Sequence, residues 1–194
     1  MKKSLFVGII GAMFILVGAS AQAALLDPGS GIAFGQLYGF AQSGGTDLSN
    51  NTGFSFSGPA NALVVDATGT FASLGLPGFL TVVNFNDFTF APASAVSGQT
   101  LWNFFYSGDS FSLTMDTVQI VSRNESSLTL SGLGIFSVTG YDLTPGTWTF
   151  TANQDGGAYS FSSSAASVPE AGALLLFGTG LVGLVGYRRV RRMQ

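Results

Sequence analysis

The chain has 194 residues, no Cys, no His and a formal charge of −3 from seven basic and ten acidic residues. Without Cys or His it can make no disulfide, thiolate nucleophile or zinc-thiolate site, and neither Ser-His-Asp nor Cys-His catalysis. Six of the seven bases (Lys2, Lys3, Arg188, Arg189, Arg191, Arg192) stand at the two ends, leaving Arg123 against nine acids between Ala24 and Val168, a net −8. That balance repels nucleic acid and anionic lipid headgroups, so no nucleic-acid partner is expected. The absence of Lys from the same stretch removes Schiff-base and Ser-Lys chemistry. No catalytic residue, cofactor or metal centre is therefore assigned from sequence.

The first predicted element is a signal peptide over residues 1–23. Lys2 and Lys3 form its basic start, and Leu5 to Val17 is a 13-residue apolar run. Ala21-Gln22-Ala23 supplies the small residues that signal peptidase requires, placing the cut between Ala23 and Ala24. Ala19-Ser20-Ala21 offers a second cut two residues earlier. Residues 24–51 carry glycine and a few aromatics without clear period, and read as a flexible arm or an edge strand.

Strand signals dominate the chain from Gly53 to Ser162. Phe54–Ser57, Phe111–Asp116, Leu128–Ser131, Trp148–Thr151 and Tyr159–Ser162 alternate apolar and polar residues, the mark of half-buried antiparallel strands. Leu63–Val65 and Leu80–Val83 are more continuously apolar and predict central strands. Turns are expected at Ser43–Thr46, Gly75–Gly78, Pro145-Gly146 and Asp155–Gly157. Arg123–Ser126 is expected to join Val118–Ser122 to Ser127–Ser131 as a hairpin. The expected fold is all-β: an antiparallel β-sandwich of eight or nine strands over residues 24–161. Residues 162–167, rich in Ser and Ala, read as a linker to the tail.

The tail, residues 168–194, has three parts in a fixed order. Val168-Pro169-Glu170 directly precedes 17 apolar or small residues, Ala171 to Tyr187, and the arginine cluster Arg188, Arg189, Arg191 and Arg192 comes next. As a helix the apolar run spans about 25 Å, a little short of the roughly 30 Å hydrocarbon core. The arginines fix its far end in the cytoplasm by the positive-inside rule. Five glycines in the run make it a weak helix, suited to a temporary anchor.

This tail resembles the PEP-CTERM sorting signal of Gram-negative bacteria, with Ala171 where a second proline is common. The resemblance implies recognition in the inner membrane by an exosortase, cleavage near the motif and release to the cell surface or extracellular matrix. It also implies a host that makes exopolysaccharide, often as a biofilm. Leu130–Thr151, with its Thr-Gly-Tyr-Asp and Thr-Pro-Gly-Thr-Trp core, is similar to a stretch that recurs in small ectodomains carrying such tails.

Other motifs carry less. Gly178-Thr179-Gly180-Leu181-Val182-Gly183 fits the dinucleotide fingerprint in letters only, because neither the strand before it nor the acid after it is present. Trp102, Tyr106, Tyr141 and Trp148 are candidate sugar-stacking residues, with core packing as the competing reading. Asn84, Asn86 and Asp87, and Asp109 with Asp116, are oxygen donors weighed for Ca²⁺, although their spacing matches no known loop. Two functions remain: a non-catalytic surface or matrix protein contacting exopolysaccharide or copies of itself, or a carbohydrate- or Ca²⁺-dependent binding module.

Overall fold

A computed structural model describes residues 23–76, 81–92, 96–154 and 157–166. The predicted signal peptide up to Gln22, the sorting motif and the apolar run with its arginines lie outside the described residues. Among the described residues, no helix is long and apolar enough to cross a membrane.

Twelve strands and one short helix form among the described residues: β1 (Gly31–Gln36), β2 (Phe40–Ser43), β3 (Gly53–Phe56), β4 (Ala62–Ala67), α1 (Thr70–Ser73), β5 (Val82–Phe85) and β6 (Phe88–Thr89), then β7 (Thr100–Tyr106), β8 (Asp109–Met115), β9 (Gln119–Arg123), β10 (Ser127–Val138), β11 (Thr144–Asn153) and β12 (Ala158–Ala165). Nine of them make one antiparallel sheet in the order β11-β12-β1-β4-β5-β7-β8-β10-β9. β11 also pairs with β10 over ten residues, from Ser127↔Asn153 to Phe136↔Thr144, so the sheet returns on itself. The result is a barrel-like antiparallel sheet, all-β as expected. β9 stands outside the ring, paired to the first half of β10 while β8 takes the second half. The remaining three strands form a small sheet in the order β2-β3-β6.

The interior follows from period two. Along β11 buried and exposed residues alternate without a break, with Trp148, Phe150 and Ala152 inward and Thr147, Thr149 and Thr151 outward. Trp148 is opposed across the strands by Gly132 on β10 and Ser163 on β12, two small residues that leave room for its indole. A Cβ on Gly132 would lie 2.7 Å from the Trp148 ring and 1.9 Å from the Thr117 carbonyl, so only glycine fits there.

Each end of the barrel is filled by aromatic packing. At the end where β12 begins, the small sheet brings in Phe54, Phe56 and Phe88. Their rings lie 4.9 Å from Phe150, 5.1 Å from Tyr159 and 5.5 Å from Phe150, respectively. At the other end, α1 places Phe71 5.5 Å from Phe136 and 6.4 Å from Phe111. Complete burial of a Phe contributes about 1.5–3 kcal/mol, and these two plugs keep water out of a core with no cross-link to hold it.

Several expected elements sit differently. The stretch read as arm or edge strand contains β1, which lies inside the ring between β12 and β4. Pro145 and Gly146 are strand residues of β11, not a turn; Gly146 is needed because a Cβ would meet the Phe136 ring at 2.3 Å. The predicted linker is strand through Ala165, and Ala166 still donates its N–H to the Pro145 carbonyl at 2.9 Å. β4 and β5 are central as expected, but Val65 and Val82 face solvent, so these strands are buried on one face only. The Arg123–Ser126 hairpin forms as expected: the Asn124 Oδ1 accepts from the N–H groups of Ser126 and Ser127 at 2.9 and 2.8 Å.

Candidate functional site

The four candidate sugar-stacking residues do not form a platform. Trp102 on β7 is fully buried, 5.0 Å from Phe34 and stacked on Phe104, where a register shift after Thr100 turns it inward. Trp148 is 2% exposed, and its indole N–H donates to the Leu133 carbonyl at 3.0 Å. The Tyr106 hydroxyl donates to the Gly75 carbonyl at 3.1 Å, tying the β7–β8 hairpin to the chain after α1. Tyr141 is half-buried and bridges Ala24. Two of the four are core and two are joints, because the alternation that makes each strand also turns its largest ring inward.

The oxygen donors weighed for Ca²⁺ are likewise committed elsewhere. Asp87 accepts the Ser55 hydroxyl at 2.8 Å and the Phe56 N–H at 2.7 Å, which fastens the small sheet to the loop after β5. The Asn84 amide donates to Asn86 Oδ1, and the Asn86 amide donates to the Thr100 carbonyl, each at 3.1 Å. Asp109 opens β8 and Asp116 lies just past its end. Seven strand residues hold them about 20 Å or more apart, too far to share an ion. No cluster of three or more His, Cys, Asp or Glu side chains occurs among the described residues.

Two arrangements were not visible in the sequence. Arg123 donates from Nε to the Leu48 carbonyl at 2.7 Å and from Nη2 to the carbonyl and side-chain oxygen of Asn51. Its guanidinium also lies 5.7 Å from the Phe90 ring centre. The only base between Ala24 and Val168 thus latches the β2–β3 loop to β9. Beside it, Asp47, Glu125, Ser126 and Gln154 line an open groove. The Ser49 hydroxyl donates to Asp47 Oδ1 at 2.5 Å, and this bond first, with backbone N–H groups, holds the Asp47 carboxyl below its ordinary range.

The most distinctive geometry is where the predicted signal peptide and the tail join the fold. Ala23 and Ala24, at the predicted signal-peptidase cut, are exposed. Ala24 bridges Tyr141, its carbonyl accepts the Asp142 N–H at 3.1 Å, and the Leu26 N–H donates to Thr144 Oγ1 at 3.1 Å. The other end of the domain leaves from the same place. The Gly29 N–H donates to the Ala165 carbonyl, the Ala165 N–H to the Ser30 carbonyl, and the Ala166 N–H to Pro145. The first and last described residues of the domain are therefore both anchored to residues 141–145.

Residues 167–192 match the family of the PEP-CTERM protein-sorting motif. The chain carries a PEP-CTERM sorting motif. The match covers Val168-Pro169-Glu170, the apolar run and all four arginines, and on this all-β domain it bears out the resemblance read from the sequence. A PEP-CTERM motif implies an exported protein processed by an exosortase, passing through the membrane to a cell-surface or extracellular location. No curated protein and no solved structure is significantly similar to the chain.

Proposed function

We propose that this protein is a non-catalytic component of the cell surface or extracellular matrix of a Gram-negative bacterium. Signal peptidase removes residues 1–23, and Ala171–Tyr187 then spans the inner membrane with the arginines on the cytoplasmic side. An exosortase cuts near Val168-Pro169-Glu170, and the released all-β domain associates with exopolysaccharide or with copies of itself. It acts without cofactor or catalytic residue. The observation that carries this reading is the PEP-CTERM match, at residues 167–192, directly after Ala166, which is still hydrogen-bonded to the all-β domain.

Intact mass of the mature protein from the native host tests it. Loss of Met1–Ala23 and of the segment after the motif is expected, and retention of the arginine cluster would overturn it. Glu170→Ala is expected to leave an uncleaved, membrane-retained form, whereas equal release of variant and wild type would remove the claim for the motif. The second reading, a carbohydrate- or Ca²⁺-dependent binding module, is favoured by the groove of Asp47, Glu125, Ser126 and Gln154. Calorimetric titration with Ca²⁺ and with host oligosaccharides separates the two, since saturable binding lost in Asp47→Asn would select the second.

A further inference from the structure

Between Ala166, still hydrogen-bonded to the barrel, and Ala171, where the apolar run begins, only residues 167–170 intervene. Fully extended, four residues reach at most about 14 Å. The headgroup layer on each side of a bilayer is itself about 5–7 Å thick. Resting on the reading that Ala171–Tyr187 spans the membrane, we infer that the uncleaved intermediate holds one end of its barrel against the outer headgroup layer of the inner membrane, at most about 9 Å clear of it, and that this end is a lipid-contacting surface.

That end is defined by the strand register. It holds the start of β1 and β11 and the finish of β4, β10 and β12, with Gly31↔Ser164, Ile32↔Ala67, Gly146↔Ala165 and Phe136↔Thr144 in adjacent pairs. The tip of the β7–β8 hairpin joins the same rim, because Val138 pairs with Phe111 and the Ser110 N–H donates to Thr139 Oγ1. The chain after the signal peptide emerges there too, through Ala24 and Tyr141.

The two most exposed apolar side chains agree with this placement. Phe105 is 79% exposed and Leu143 is 66% exposed, the two highest values among the described large hydrophobic residues, and both belong to this rim. Leu25, 41% exposed, adjoins the Ala24 bridge. A Phe and two Leu at headgroup depth gain burial that water denies them. Asp27, Asp66, Asp109 and Asp142 share the rim and limit how deep it sinks. Carboxylates are repelled by anionic lipid but accept hydrogen bonds from the ammonium of ethanolamine headgroups. The partner is accordingly a zwitterionic, phosphatidylethanolamine-rich leaflet.

The absence of Cys makes the test direct. The full chain, reconstituted without protease in phosphatidylethanolamine–phosphatidylcholine vesicles, carries one fluorophore in turn at Leu143→Cys, Glu125→Cys or Val182→Cys. Glu125 occupies the turn at the opposite end of β10. With a nitroxide at headgroup depth, quenching at position 143 is expected to exceed that at 125 at least twofold. Inserting about twelve Gly and Ser residues after Ala166 adds a coil of roughly 20 Å, and should bring position 143 down to the level of 125. If position 182 is quenched by a deep nitroxide while 143 equals 125, the lipid-contacting end is refuted. If 182 is not quenched, the membrane-spanning reading itself fails.

Discussion

Arg123→Ala is expected to destabilise the exported domain by about 3 kcal/mol, a magnitude set by what the guanidinium holds. Its donors reach two backbone carbonyls and one amide oxygen across 72 to 75 residues of sequence. A hydrogen bond involving a charged group contributes about 1.5–3 kcal/mol, and a cation over an aromatic ring about 0.5–1 kcal/mol. The bonds share one half-exposed side chain, so their sum is not additive and the lower half of the range applies. Asn51 is fully buried and would be left with its carbonyl unpaired, a cost of about 1–3 kcal/mol by itself. With a urea dependence of about 2 kcal/mol per molar, the unfolding midpoint should fall by roughly 1.5 M. Arg123→Lys, which offers a point charge in place of a planar fork, should recover less than half of the loss. Because the acceptors are neutral oxygens, the loss should be the same at low and high salt. A midpoint within about 0.3 M of wild type would refute the latch, and a loss that vanishes at high salt would show that Arg123 acts through a carboxylate.

Three other outcomes rest on the same packing. Gly132→Ala should cost about 2 kcal/mol or more and shift the Trp148 fluorescence, since the new Cβ meets the Thr117 carbonyl and the indole; unchanged fluorescence and stability would contradict the tight β10–β11 pairing. Ser163→Ala should leave stability equal or raise it by about 1 kcal/mol, because the buried Ser163 hydroxyl has no hydrogen-bond partner among the described residues; a loss in urea titration would reveal a partner. Burial pushes the Tyr159 phenol well above its ordinary value near 10. The unfolded chain therefore releases this proton first, and stability should fall as pH rises past about 10. Tyr159→Phe, which removes the bond to the Asn61 carbonyl, should flatten that alkaline limb, and an identical pH profile would refute the assignment.

The local half of the fold is legible in the sequence. Trp148-Thr149-Phe150-Thr151 announces both a strand and the face it buries, because Trp148 and Phe150 share one parity with Ala152. β1 escapes such a reading because its outward residues Gly31, Ala33 and Gly35 are small rather than polar, so its alternation is one of size. β12 outlasts its signal for a related reason. After Phe161 the inward positions are Ser163, which must be small between Trp148 and Ile32, and Ala165, so the apolar period stops while the strand continues. The same effect gives a linker's composition to residues that tie the tail to the barrel. Closure through β10–β11 and the latch of Arg123 depend on partners far apart in sequence, which no local period encodes. The sorting motif needs no fold at all, since its order of motif, apolar run and charge is itself a local pattern.

These two kinds of information meet at Ala166. A linker would let the domain stand clear of the membrane, and the protease would find its motif on an open stretch. If the tail spans the membrane as proposed, the observed strand end leaves little clearance, and an enzyme reaching Val168-Pro169-Glu170 would work close beneath the barrel or draw the end of β12 away from it. Among the described residues the bonds at that end are Ala166 to Pro145, those of Gly29 and Ser30 with Ala165, and the last ladder pair, Ala165 with Gly146. At a net worth of about 1 kcal/mol each, their loss is small beside the whole stability of a domain, so opening one strand end is accessible without unfolding. Processing is then expected to speed up when that end is loosened. Lengthening the chain after Ala166 and weakening the final pairs of β12 should both hasten release, whereas weakening Arg123, at the far end of the barrel, should destabilise the domain without changing the cleavage rate of the molecules that remain folded.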